Sequence, residues 1–121
     1  MGHVTLRAVV ELPRKGKPKE VEFLADTGAS YMAVTKDLAR DLGLGLEIVG
    51  EEEVTLADKC TVMAPIAPIR VRAKGREAIV FTVIADVPMP LFGAFTLEAL
   101  GLAVDSSRGE VVVSRPTALM L

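Results

Sequence analysis

Tryptophan is absent from this 121-residue chain, and cysteine, histidine and tyrosine occur once each. Each shortage closes a chemical route. The lone cysteine, Cys60, cannot form an internal disulfide, which suits a reducing compartment. The lone histidine, His3, leaves no positioned base for a serine or cysteine triad. One His at position 3 and one Cys at position 60 do not make a zinc motif. No Gly-x-Gly-x-x-Gly or Walker-type phosphate loop is present. Aromatic residues are 4% of the chain, basic residues form no run, and the net charge is −2, so nucleic-acid binding is disfavoured. No apolar stretch reaches the ~18 residues that a membrane helix needs. Residues 1–14 alternate apolar and polar side chains instead of setting an apolar block behind a charged head, so they do not read as a signal peptide. The expectation is a soluble cytoplasmic domain with no metal and no cofactor, binding neither nucleic acid nor membrane.

What the chain has in plenty is apolar side chains. Half of its residues are hydrophobic and its mean hydropathy is +0.41. The length suits one core, so residues 1–121 read as a single domain. So apolar a composition in a small domain implies that some surface is covered by another subunit.

Strand signals dominate the pattern. Val4, Leu6, Ala8, Val10 and Leu12 alternate with polar residues, and residues 13–18 have the composition of a turn. Val21, Phe23 and Ala25 then face opposite to Glu20 and Glu22, completing a hairpin. Residues 31–34 read as a short strand, Thr35 as the N-cap of a helix over 36–42, and Gly43 as its stop. Residues 51–63 read as a second hairpin with its tip at Ala57, Asp58 and Lys59, and Glu51, Glu52 and Glu53 as a solvated charge cluster. Ile69, Val71 and Ala73 mark a further strand, Gly75 a turn, and the apolar run 78–85 a strand buried on both faces. Thr96 reads as the cap of a short helix over 97–100 closed by Gly101, residues 111–113 as a final strand, and residues 114–121 as an apolar tail. The order hairpin, short segment, helix, glycine occurs twice, with Asp41-Leu42-Gly43-Leu44 matched by Ala99-Leu100-Gly101-Leu102, which implies an internal duplication.

With other nucleophiles and metals set aside, carboxylates remain. Asp26-Thr27-Gly28-Ala29-Ser30 ends the apolar run 21–25 and occurs once. A carboxylate that performs acid–base chemistry on peptides needs a second one beside it, so a single copy must find its partner elsewhere.

Asp-Thr-Gly-Ala-Ser at the end of an apolar strand, followed after a second hairpin by Leu91-Phe92-Gly93 and a short helix, resembles the retropepsin-like aspartic proteases. The resemblance spans residues 4–113. It implies an all-β closed barrel with one or two short helices, assembled as a homodimer that acts on peptide or unfolded-protein substrates. Asp26 would be the catalytic residue of an aspartic endopeptidase, paired across the two-fold with Asp26 of the second copy. Two carboxylates ~3 Å apart repel by roughly 5 kcal/mol at an effective dielectric of 20, so such a pair holds one proton between its members. Thr27 would tie the two active-site loops together, Gly28 would bring its N–H to the carboxylate, and Ala29 and Ser30 would keep the turn small. Leu91, Phe92 and Gly93 would brace the loop from behind. Ala57, Asp58, Lys59 and Cys60 would form the flap, which here carries no glycine between Gly50 and Gly75. A non-catalytic dimerisation or peptide-binding module on the same fold is the alternative.

Overall fold

The computed structural model describes residues 3–14, 16–56 and 58–114, which fold mainly as strands with two short helices. Strands β1 (Thr5–Glu11) and β2 (Lys19–Ala25) form the first hairpin, with Leu6 opposite Phe23 and Ala8 opposite Val21. The alternation seen in the sequence maps directly onto burial: Leu6, Ala8, Val10 and Phe23 lie in the core. Strand β3 (Met32–Val34) follows the Asp26 loop and is buried throughout.

Helix α1 (Lys36–Leu42) is delimited by local chemistry. The Thr35 hydroxyl accepts from the Leu38 N–H at 3.1 Å, satisfying one of the free amides of the first turn. Gly43 ends the helix at φ +80°, a left-handed conformation that costs glycine little. Lys19 on β2 donates to Asp41 on α1 at 2.8 Å, and that hydrogen bond, with the lysine charge, holds the Asp41 carboxyl below its ordinary pKa. Because the folded value is the depressed one, this tie stabilises above the usual carboxylate range and is lost as pH falls through it. A 3-10 turn (Leu44–Glu47) leads on to β4 (Gly50–Thr55).

Strand β5 (Thr61–Ala73) is one continuous strand, where the sequence pattern implied two separate ones. It stays extended because it changes partner along its length. Residues 61–66 pair with β4, residues 66–73 with β6 (Arg76–Ile84), and Arg70, Val71 and Arg72 also pair with β1. The β1–β5 contact closes a ring in the order β1-β2-β7-β3-β6-β5, with β4 attached outside it and β7 being Leu91–Phe92. The result is a six-strand closed barrel. Its core holds Phe23 and Phe92, ring centres 4.5 Å apart, with Val10, Met32, Val34, Ile69, Val71 and Leu100.

Two expectations are corrected here. The run 78–85 is not buried on both faces: Ile79 and Phe81 are about half exposed, and only Thr82, Val83, Ile84 and Ala85 are enclosed. Along most of β6 one face looks inward and the other to solvent. At its end, where it lies between β5 and β3, Ile84 joins the main core and Val83 a second apolar cluster. Nor is Thr96 a helix cap. Helix α2 (Ala94–Leu100) begins earlier, after Gly93, with no side-chain cap, because the Ala94 and Phe95 amides donate to the carbonyls of Ala29 and Ser30. Thr96 therefore lies inside the helix and is buried, and its hydroxyl has no hydrogen-bond partner among the described residues. Thr96→Val keeps the shape and removes an unsatisfied polar atom, so it is expected to stabilise by about 1–2 kcal/mol, read as a higher urea midpoint at unchanged m-value. A lower midpoint would mean that the hydroxyl is satisfied in solution.

The duplicated order of elements is visible: β1-β2-β3-α1 ends at left-handed Gly43, and β5-β6-β7-α2 ends at left-handed Gly101. Beyond α2 the expected last strand, β9 (Glu110–Val113), pairs with a strand that the sequence pattern does not signal, β8 (Leu102–Asp105), as a separate two-stranded sheet. Its turn is held by Asp105, whose carboxylate accepts from the Ser107 hydroxyl at 2.7 Å and from the Ser107 and Arg108 amides. The Ser107 hydroxyl does most to keep the Asp105 carboxyl below its ordinary pKa. Residues 115–121 of the apolar tail lie outside the described residues. No helix among the described residues is long and apolar enough to cross a membrane.

Candidate active site

Asp26 sits where β2 leaves the barrel. Its strand runs parallel to β7, with Leu24 beside Leu91 and Ala25 beside Phe92. The Asp26 N–H donates to the Phe92 carbonyl at 2.9 Å, so the backbone of the carboxylate-bearing residue is set by β7. The chain then turns tightly. The Ala29 N–H donates to the Asp26 carbonyl at 3.1 Å, and the Gly28 N–H donates to Asp26 Oδ1 at 3.0 Å. A Cβ on residue 28 would come 3.3 Å from that same oxygen, so the small residue lets the amide approach. Asp26 is half-buried, while Thr27, Gly28 and Ser30 are exposed.

The loop is braced from behind by the start of α2. Ala94 N–H donates to the Ala29 carbonyl at 2.7 Å and Phe95 N–H to the Ser30 carbonyl at 3.0 Å. The two segments touch at Gly93, where an added Cβ would lie 2.4 Å from the Tyr31 oxygen and 2.6 Å from the Ser30 oxygen. Helix and loop thus satisfy each other's backbone groups, which is why neither needs a side-chain cap. Leu91, Phe92 and Gly93 are brought together with Asp26, Ala29 and Ser30.

The remaining candidate residues form a different part of the molecule. Asp58, Lys59 and Cys60 lie at the exposed tip of the β4–β5 hairpin, whereas Ala57 lies outside the described residues. The tip is closed by Lys59 N–H to the Leu56 carbonyl and Leu56 N–H to the Cys60 carbonyl, both 2.9 Å, and by Cys60 N–H to the Asp58 carboxylate at 3.0 Å. Lys59 adopts φ +67°, the left-handed conformation that glycine takes freely and that costs another residue roughly 1–2 kcal/mol. The turn therefore has a glycine-like shape without a glycine. Cys60 is exposed and unpaired.

Sequence reasoning overlooked a second buried apolar cluster near the loop and the hairpin. Ala33, Ala64 and Val83 form an apolar cluster apart from the main core, and Tyr31, Val54, Val87 and Leu91 pack against it. It joins residues from β3, β4, β5, β6 and β7, running from the Asp26 side to the base of the hairpin. Tyr31, the chain's only tyrosine, meets Phe95 edge to face with ring centres 5.6 Å apart. One signal was available: of the few aromatic residues, Tyr31 directly follows the Asp26 segment and Phe95 lies two residues after Gly93. An open groove lies on another side of the loop, between Thr27, Leu97 on α2, and Leu102, Val104 and Ser114 of the β8–β9 sheet.

No group of three or more His, Cys, Asp or Glu side chains among the described residues could hold a metal ion. What the site offers is one half-buried carboxylate on a loop held by backbone hydrogen bonds, near a buried apolar cluster.

Comparison with known proteins agrees with that chemistry. The aspartyl protease family profile matches residues 10–94, from β1 to the first residue of α2. A solved structure of EIAV protease, complexed with the inhibitor HBY-793, superposes with a TM-score of 0.66 over 83% of this chain and 89% of that one, at 19% identity. No curated protein matches the sequence. The chain belongs to the aspartyl protease family, and its fold is that of the retroviral protease.

Proposed function

We propose that the protein is a homodimeric aspartic endopeptidase in which Asp26 of two copies forms the catalytic pair. One observation carries the reading: a chain of this family holds a single Asp-Thr-Gly loop, with Asp26 fixed by Phe92 and Gly28 and its outer side left open. In the repeated order of elements Leu91-Phe92-Gly93 stands where Asp26-Thr27-Gly28 stands in the first half, so the second half supplies no second carboxylate. A two-fold axis beside Thr27 supplies one, because an isologous contact sets the same loop opposite itself.

In the pair, one carboxylate takes a proton from a bound water as the water oxygen attacks the scissile carbonyl carbon. The other carboxyl, protonated, donates to the carbonyl oxygen. The first carboxyl then passes its proton to the amide nitrogen while the second takes one back from a hydroxyl of the tetrahedral intermediate, so that the C–N bond breaks and both groups are restored. The fixed Gly28 N–H orients the acting oxygen without changing shape between steps.

The groove beside Thr27 supports the dimer, as does the β8–β9 sheet, which packs Leu102 and Val111 into the main core but, among the described residues, pairs with no strand of the barrel. Val113 on that sheet is 48% exposed, an apolar side chain at its rim. The exposed, unpaired Cys60 suits a reducing, cytoplasmic setting.

The test is digestion of a peptide library and of an unfolded protein by the purified chain, from acidic to neutral pH, with and without a statine-type inhibitor. Inhibitor-sensitive cleavage within peptides is expected, with specific activity that falls on dilution as the dimer dissociates. A monodisperse dimer that cuts nothing across that range would refute the reading.

A further inference from the structure

We propose that the outer wall of the barrel, remote from Asp26, binds a second copy of this chain in a two-fold contact separate from the catalytic one. The inference goes beyond the protease reading and does not depend on cleavage. Nine large apolar side chains are exposed among the described residues, and five of them lie on this wall. Ile79 and Phe81, two apart on β6, share its outward face, while Ala78 and Val80 pack toward the core. Phe81 stands opposite Pro68 on β5, and Pro68 lines a groove of about 400 Å³ together with Leu46, Ile48 and Val49. These contacts make the apolar surface one continuous patch. Leu46 is 93% exposed, so its side chain adds nothing to the core.

Position separates the patch from the Asp26 loop. Asp26 follows the end of β2 that pairs with Thr5, whereas Pro13 and Arg14 of the groove follow the opposite end of β1. The length of β1 puts these two ends about 20 Å apart. A dimer formed beside Thr27 therefore leaves the patch in water. The charges at the groove point to a second copy as the occupant. Arg14 and Glu47 both line it, carry opposite signs, and join no ion pair among the described residues. On the adjoining β5–β6 wall, by contrast, Arg70 and Arg72 are already paired with Glu77 and Glu11. An isologous contact with its axis between the two unpaired charges sets Arg14 against the partner's Glu47, and Glu47 against the partner's Arg14. The groove thus complements itself, where a groove of one charge sign would repel its own copy. The five side chains, 43–93% exposed, offer roughly 500 Å² of apolar surface per copy. Two copies would bury about 1,000 Å², the lower end for a specific interface, so the association is weak.

The experiment is sedimentation velocity across the micromolar range, using the full chain as wild type, Leu46→Glu, Arg14→Glu, Glu47→Arg and the double variant Arg14→Glu/Glu47→Arg. Wild type is expected to show a weak association step that Leu46→Glu removes at unchanged urea midpoint. Each single charge reversal should weaken that step by roughly tenfold, because the two-fold repeats the like-charge contact, and the double variant should restore it. Restoration is the readout that general stickiness would not give. Association identical in wild type and Leu46→Glu, or absent from both, would overturn the inference, and the patch would then face another protein or none. Single reversals without effect, or a double variant as weak as the singles, would overturn it too. Peptide cleavage measured on the same samples keeps the two readings apart. Leu46→Glu should cut peptides as wild type does, since the catalytic contact lies elsewhere, and cleavage lost together with the association step would refute a separate interface. Absence of cleavage by a wild type that passes the charge-reversal test would overturn the protease reading alone.

Discussion

On the proposed function, Asp26→Asn is expected to abolish peptide hydrolysis, lowering kcat by at least about 10³-fold, while the barrel and the oligomeric state stay unchanged. The geometry explains why the two effects separate. Among the described residues the Asp26 side chain makes one hydrogen bond, accepted from Gly28 N–H, and a carboxamide oxygen can accept it equally well. Asp26 is half-buried and joins no ion pair among the described residues, so exchanging its charge for an amide should alter stability by no more than about 1 kcal/mol. What the amide cannot do is take a proton from water or share one with a second carboxylate. Single-turnover assays and equilibrium unfolding on the same preparation measure both halves of the statement. A variant that keeps a tenth of wild-type activity would remove Asp26 from the mechanism. The same comparison separates the non-catalytic alternative, since a peptide-binding module has no use for a carboxylate at residue 26.

Gly93→Ala should be the most damaging small substitution in the chain, destabilising by about 3–5 kcal/mol and cutting residual activity by about 10²-fold. The added Cβ would lie 2.4 Å from the Tyr31 oxygen and 2.7 Å from the Ser30 carbonyl carbon. Both neighbours are backbone atoms that cannot swing aside, so relief comes only by separating α2 from the Asp26 loop. Separation stretches the bonds from Ala94 to Ala29 and from Phe95 to Ser30, and it withdraws the support that positions Asp26. Gly45→Ala is the matched control. Its Cβ would meet nothing within 4 Å, and its expected effect is within about 1 kcal/mol. Urea unfolding of the two variants gives the answer, and equal midpoints would refute the argument.

Features encoded in contiguous residues are legible in the sequence. The β1–β2 alternation, the Thr35 cap, the Gly43 and Gly101 stops and the strand–turn character of residues 21–30 all depend on neighbours in the chain. The hairpin 51–63 is legible for the same reason, although the left-handed Lys59 at its tip is not, because nothing in its type marks that conformation. Thr96 misleads because a threonine before an apolar stretch usually caps a helix, and here distant carbonyls take the cap's place. The run 78–85 misleads because an apolar strand half open to solvent cannot be told from an enclosed one by composition. Strand β8 escapes notice because Leu102–Asp105 is short and becomes a strand only through pairing with β9.

Asp26-Thr27-Gly28, the glycines that end both helices and the absence of any rival nucleophile were determined by the sequence alone, and they direct the chemistry to a carboxylate. Tertiary structure decided everything that depends on segments far apart in the chain: closure of the barrel through β1 and β5, the seating of Gly93 against Ser30 and Tyr31, and the meeting of Tyr31 with Phe95. The physical reason is the range of the interactions. Caps and turns are local hydrogen bonds that a few adjacent residues specify, whereas strand partners and close backbone contacts arise only when the whole core has packed.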